Sequence, residues 1–169
     1  NDKTSVEAYY TLSWSRRYFP DFYSQWYKDR NDNRHKLTLT ATHRFGKRFE
    51  MYASWNYHSG GWMTGESHGI WDGEIGGDVE TFYAAPNNLK IPDYHRLDTG
   101  FNFHKTTKRG NESIWNLSFY NAYCRMNPIA SQIEQFYDFT PENIMGLTYY
   151  GAGYGLIPII PSFSYTLKF

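Results

Sequence analysis

The chain has 169 residues, enough for one ordinary domain, and its 17 basic and 17 acidic residues cancel. A pI near 7.2 argues against a nucleic-acid binder, which carries a basic excess. Aromatic residues make up 20% of the chain, with 16 Tyr, 12 Phe and 6 Trp, and the mean hydropathy is −0.70, a balance poorly suited to a soluble aliphatic core.

Six segments alternate between apolar and polar residues with a period of two, the mark of strands with unlike faces. In the first, Val6, Ala8, Tyr10, Leu12 and Trp14 oppose Glu7, Thr11, Ser13 and Ser15. The second sets Leu37, Leu39, Ala41 and Phe45 against Lys36, Thr38, Thr40, Thr42 and Arg44. In the third, Phe49, Met51, Ala53, Trp55 and Tyr57 oppose Glu50, Tyr52, Ser54, Asn56 and His58. Leu97, Phe101 and Phe103 face away from Arg96, Asp98, Asn102 and His104 in the fourth. The fifth carries Trp115, Leu117, Phe119 and Tyr123 against Asn116, Ser118 and Tyr120. The last sets Ile159, Phe163, Tyr165, Leu167 and Phe169 against Ser162, Ser164, Thr166 and Lys168.

A soluble sandwich also alternates, and three features speak for a membrane sheet instead. Most runs extend for about ten residues, which a tilted strand needs to cross a bilayer, whereas soluble strands average about five or six. Tight links at 45–48 and 105–111 alternate with long connections at about 17–33, 59–93 and 124–156, as periplasmic turns alternate with outer loops. Trp14, Tyr57 and Tyr123 lie at the long-connection ends, and Phe45, Phe49, Phe103 and Phe169 at the short-turn ends, the two girdles of a membrane barrel. No run of about 18 apolar residues is present to make a spanning helix. Six strands are too few to close a bacterial barrel, which begins at about eight. Either several chains assemble to close the barrel or this is the tail of a longer chain, and the tail is the favoured reading.

Several stretches then resemble a known family: HRFGKRFEMYASWNYHSG at 43–60, IPDYHRLDTGFNF at 91–103, NAYCRMNP at 121–128 and PIIPSFSYTLKF at 158–169. In this order and spacing the chain resembles the C-terminal barrel region of TonB-dependent outer-membrane receptors, of the kind common in Bacteroidota. The resemblance implies an all-β, antiparallel transmembrane β-barrel of 22 strands, filled by an N-terminal plug, of which residues 1–169 are the last six strands. It implies energy-coupled uptake of a scarce nutrient across the bacterial outer membrane. The plug, the remaining strands and the segment that meets TonB would lie outside this sequence, as would a secretory leader, because Asn1-Asp2-Lys3-Thr4 opens without an apolar stretch. The implied partners are outer-membrane lipid and lipopolysaccharide, the plug, TonB, the barrel-insertion machinery and a surface lipoprotein. A soluble or surface carbohydrate-binding β-sheet module and a passive porin-like barrel are the competing readings.

Candidate ligand residues lie in the long connections: Trp62, Trp71, Asp72, Glu74 and Tyr83 in the second and Tyr137 in the third, since long loops are common binding surfaces. Tyr165, Leu167 and Phe169, apolar at alternate positions up to an aromatic terminus, look like the assembly signal of outer-membrane barrels. DGEIGGD at 72–78 is oxygen-rich but lacks the ligand spacing of a calcium loop. The histidines His35, His43, His58, His68, His95 and His104 follow no metal-ligand spacing, and Cys124 is alone. Arg96 and Asp98 are expected to pair with neighbours or with the plug. No nucleophile elbow, phosphate loop or zinc motif is present, so neither catalysis nor a cofactor nor a metal is expected.

Overall fold

A computed structural model describes Asp2 to Phe169 apart from 66–67, 72–78, 83–84, 109, 129, 138–146 and 156; at 68–71, 79–82, 130–137 and 147–153 it describes the backbone alone. The described residues contain strands and no helix. β1 (Thr4–Leu12) is followed by a short hairpin, β2 (Arg16–Phe19) and β3 (Tyr23–Lys28), then by the long pair β4 (His35–Arg44) and β5 (Phe49–His58). Four short strands come next: β6 (Trp62–Met63), β7 (His68–Trp71), β8 (Val79–Phe82) and β9 (Leu89–Lys90). β10 (Tyr94–Thr106) and β11 (Glu112–Tyr120) form a second long pair. The hairpin of β12 (Ala130–Tyr137) and β13 (Leu147–Tyr154) precedes β14 (Ile160–Lys168).

The six long strands form one antiparallel sheet in the order β1-β4-β5-β10-β11-β14. Each pairs with the next long strand in the chain, which is the meander that the six alternating segments predict. The sheet does not close on itself, and β1 and β14 are its edges. The β4–β5 turn is fastened by Phe45 N–H donating to the Phe49 carbonyl at 2.9 Å. Between β10 and β11, Gly110 takes φ +86°, a left-handed conformation that glycine adopts without steric cost.

Two of the expected strands end early. β1 stops at Leu12, leaving Trp14 outside. Ser13 N–H still donates to Arg34 O, but Ser15 O accepts from Asp29 N–H, so the partner strand must loop out the residues between. β11 stops at Tyr120, leaving Tyr123 outside, because Asn121 turns the chain with φ +54°. The three long connections also differ from the irregular loops expected: they carry β2–β3, β6–β9 with β7–β8 nested inside, and β12–β13. In β2–β3, arginine, lysine and aromatic residues occur together on the same side, so no binary alternation betrays the strands.

On the long sheet, register places like with like. Ala8, Leu39, Trp55 and Leu97 stand side by side, as do Met51, Phe101, Leu117 and Phe163. Below them, Phe49 meets Phe103 at 5.0 Å between ring centroids and Trp115 meets Tyr165 at 4.7 Å. The opposite face is polar throughout its middle. Arg44 Nε donates to Glu50 at 2.7 Å, Asn102 Nδ2 donates to Glu50 at 3.1 Å, and Asn116 Nδ2 donates to Asn102 at 2.7 Å. That chain of side chains crosses four strands.

Nothing among the described residues covers the apolar face. Among the described residues no hydrophobic side chain is buried, and the buried ones are Asp29, Asp32, Ser59, Ser113, Asn121 and Asn127. A water-soluble domain shows the reverse order. In the middle of the apolar side the Thr99 hydroxyl is turned onto the Tyr52 carbonyl at 2.9 Å, and the other polar atoms sit towards the margins. His43 shares a hydrogen bond with the Thr4 hydroxyl at 2.7 Å, His35 with Tyr10 at 2.8 Å and His95 with Tyr123 at 2.6 Å.

Both margins of the sheet also step steadily. Thr4 stands level with Phe101 through His43 and Met51, whereas Lys168 stands level with Thr106 through Glu112, five residues farther along β10. At the other margin Leu12 is level with His35 and, continuing the register, with Asp93, whereas Ile160 is level with Tyr120 and so with Asp98, again five residues on. One residue per strand step, at a rise of about 3.3 Å and a strand spacing of about 4.8 Å, corresponds to margins inclined so that strands tilt about 35°.

Candidate functional site

The end of the sheet that bears the long connections is held together by polar residues rather than by a core. Asp93 is the first corner. Its carboxylate accepts from the Tyr57 hydroxyl and from Gly60 N–H, each at 2.8 Å, and pairs with Lys90 Nζ at 2.8 Å. Gly60 must be glycine here, because a Cβ would collide with the Ile91 carbonyl oxygen. Burial alone raises the Asp93 pKa. Hydrogen bonds from Lys90, Gly60 and Tyr57 together outweigh it and bring the value down to about 2.

A carboxyl depressed in the folded state adds stability that is complete above its unfolded pKa of about 3.9 and is lost as pH falls through the folded value. Amide exchange at Gly60 and Ile91 should therefore stay flat from neutral pH to about 4, once corrected for intrinsic rate, then rise as the pH approaches about 2. In Asp93→Asn that acid step should be absent and exchange at both amides faster at neutral pH. An acid step of equal size in the variant would mean that Asp93 does not hold this corner.

The second corner is Asn121–Asn127. β11 ends opposite the middle of β10, so β10 from Tyr94 to Asp98 has one edge without a strand. Side chains fill the gap. Asn127 Oδ1 accepts from His95 N–H at 3.0 Å while its Nδ2 donates to His95 O at 2.8 Å, which copies a strand's hydrogen-bond pair. Ala122 N–H donates to Leu97 O, and Asn121 N–H to the Asp98 carboxylate. Arg125 Nη2 reaches the Asp93 carbonyl at 3.0 Å and so joins the two corners.

On the polar face below these corners lies a group of rings and charges. His58 and Tyr94 stack with centroids 4.7 Å apart and planes within 2°. Arg96 pairs with Asp98 at 2.8 Å through Nη2, and donates from Nη1 to the Tyr94 and Tyr120 hydroxyls at 3.0 and 2.6 Å. Its guanidinium also lies over the Tyr120 ring at 4.1 Å. A shallow cleft of about 190 Å³ opens beside the stack, walled by Arg30, Asn31, Asn33, Ile91 and Pro128. Flat ring faces next to oriented hydroxyls and a guanidinium can hold a polar ligand by stacking and hydrogen bonding.

Sequence reading placed its ligand residues elsewhere. Trp62 lies in β6, half-buried, with Lys28 Nζ over its ring at 3.2 Å. Trp71 ends β7 and Tyr137 ends β12, and only their backbones are described. Asp72, Glu74 and Tyr83 lie outside the described residues, as does DGEIGGD at 72–78. Arg96 and Asp98 do pair, as expected. His58 and Tyr120 are expected on the polar faces of their strands but not as ligand residues, and Tyr94 is not among the expected ones; each shares the polar parity at the long-connection end of its strand. Tyr165 and Leu167 lie on the edge strand β14, and Phe169 is fully exposed.

Among the described residues no three His, Cys, Asp or Glu side chains gather as a metal site, and no described helix is long and apolar enough to cross a membrane. No protein-family model, curated protein or solved structure matches this chain.

Proposed function

We propose that these strands are part of an outer-membrane β-barrel, the last six of 22 in a plugged TonB-dependent receptor for energy-coupled nutrient uptake. The observation that carries the reading is an apolar sheet face without a covering layer, in a chain with no buried hydrophobic side chain among the described residues. In water such a face would be driven to associate; against acyl chains it is already solvated. The tilt fits. A ten-residue strand inclined by about 35° rises about 27 Å, close to the apolar band of membrane barrels. The polar face, with its Arg44–Glu50–Asn102–Asn116 chain, then looks into the lumen and towards a plug.

Closure follows from the same physics. The outer edges of β1 and β14 each carry nine residues, and unpaired backbone groups in hydrocarbon cost several kcal/mol each. Strands beyond these six must satisfy them. Tyr165, Leu167 and Phe169, on the last strand, are proposed as the signal by which the insertion machinery takes up that edge. The His58–Tyr94–Arg96–Tyr120 cluster is proposed as a lumen contact for the transported solute. The second connection, with Trp62, Trp71, Asp72, Glu74 and Tyr83, and Tyr137 of the third are proposed as rim contacts.

The test is extraction and gel mobility of the protein that carries these strands. It should leave the membrane fraction only with detergent and migrate faster unheated than after boiling, as closed barrels do. Release in salt or alkali as a monodisperse, detergent-free monomer would overturn the membrane reading.

A further inference from the structure

The side of the sheet that carries the apolar face continues past its border as a belt of cations and rings. Ser13 and Ser15 still hydrogen-bond across the hairpin, so alternation keeps Trp14, Arg16 and Tyr18 on the side of Tyr10 and Leu12. Lys28 stands opposite Arg16, and Trp26 stacks on Tyr18 at 5.3 Å. A second route reaches the same side. The Lys28 ammonium sits over Trp62, and Trp62 lines a cleft of about 220 Å³ with His35, whose ring is bonded to Tyr10 on the apolar face.

Four cations collect here, and two have acidic partners. Arg34 pairs with Asp32 at 3.5 Å and Lys90 with Asp93 at 2.8 Å. Among the described residues none gives Arg16 or Lys28 a carboxylate at ion-pair distance. Burial lowers the Lys28 pKa, and the positive charges of Arg34 and Arg16 lower it further against the opposing pull of Asp32. An anion between them would relieve that repulsion. Of the rings beside them Trp26 is open, 66% exposed, and Trp62 is half-buried under the Lys28 ammonium. Arg16 lies four residues past Leu12, about 13 Å of extended chain and so about 11 Å along the membrane normal at a tilt of about 35°. That is beyond the hydrocarbon, and the long side chain of Arg16 reaches back to the headgroup layer.

We propose that Arg16 and Lys28, flanked by Trp26 and Trp62, dock the phosphate headgroup of an anionic lipid in the outer leaflet. Rings that carry a polar edge settle at that depth, and each cation near an anionic surface strengthens the attraction roughly five-fold. The assignment rests on the membrane reading above.

It is tested on the intact protein in phosphatidylcholine nanodiscs doped with spin-labelled phosphatidate or spin-labelled phosphatidylcholine, comparing the motionally restricted fraction of each. Wild type should select phosphatidate several-fold. Arg16→Gln with Lys28→Gln should bring the two lipids to parity, while Arg16→Lys with Lys28→Arg, and Lys47→Gln at the opposite end of the sheet, should keep the selectivity. Equal uptake of both lipids by the wild type, or undiminished selectivity in the Gln pair, would overturn the proposal. Displacement of phosphatidate by inorganic phosphate would reassign the site to a soluble anion and overturn it equally. Insertion without selectivity sinks this assignment alone; failure to enter any bilayer sinks the membrane reading and this one with it.

Discussion

Arginine at position 117 should destabilise the folded protein by about 2–4 kcal/mol in a bilayer, while arginine at position 118 should cost far less. The two residues are neighbours on β11 and face opposite ways. Leu117 stands between Phe101 and Phe163 on the apolar side, and Ser118 between Gly100 and Ser162 on the polar side. Leu117 is already 37% exposed. In water, exchanging so open a leucine for arginine would shift stability by no more than about 0.5 kcal/mol, since it buries no charge and opens no cavity. In hydrocarbon the same exchange carries a guanidinium towards the middle of the apolar band. Equilibrium unfolding in lipid vesicles, followed by tryptophan fluorescence, measures both variants. Equal tolerance would assign water to both faces and remove the basis for the barrel.

The same pair shows why the long strands were legible. Alternation records two unlike environments, and each long strand has an apolar and a polar side along most of its length. Segment positions and the tight turns follow from that contrast, and the β4–β5 and β10–β11 pairings follow because antiparallel strands joined by short turns pair with each other. The three pairings across long connections extend the same neighbour rule to consecutive strands. The hairpins in the long connections left no such record. Arg16, Tyr18, Trp26 and Lys28 share one side of β2–β3, a mixture that sequence cannot sort into core and surface.

The candidate cluster was less legible still, because it depends on register. His58 and Tyr94 lie 36 residues apart and become neighbours only once β5 and β10 are aligned. Arg96 and Asp98 were visible as an i, i+2 pair on one face; the hydroxyls of Tyr94 and Tyr120 completing the group were not. The Asn127 amide acts on the backbone of His95, and backbone partners leave no trace in residue types. The left-handed turn is missed as well, because alternation carries the fifth segment on to Tyr123, although asparagine tolerates that conformation better than other side-chain-bearing residues. Asn121, in NAYCRMNP, marks it.

Asn121 is where a single substitution should do most damage at that end. It is 1% exposed, and its φ is +54°. Its side-chain Nδ2 donates to Arg125 O at 2.8 Å and to Ile157 O at 3.0 Å, and its Oδ1 accepts from Arg125 N–H at 3.1 Å. Removing the amide strands two carbonyls and one N–H, each costing about 1–3 kcal/mol unless water enters. Asn121→Gly keeps the backbone conformation and should lower local stability by about 3 kcal/mol. Asn121→Ala adds the left-handed strain of a Cβ, roughly 1–2 kcal/mol more. Asn121→Asp keeps the acceptor for Arg125 but turns a carboxylate oxygen towards two carbonyls, so at neutral pH it should resemble Ala rather than Asn. Hydrogen exchange reads the effect where it arises, at the amides of Ala122 and His95, whose acceptors are Leu97 O and Asn127 Oδ1. Both should open together in all three variants, while Phe101 and Leu117 in the sheet keep their protection. If Asn121→Gly left both amides as protected as in wild type, the amide would not be what holds this corner against β10.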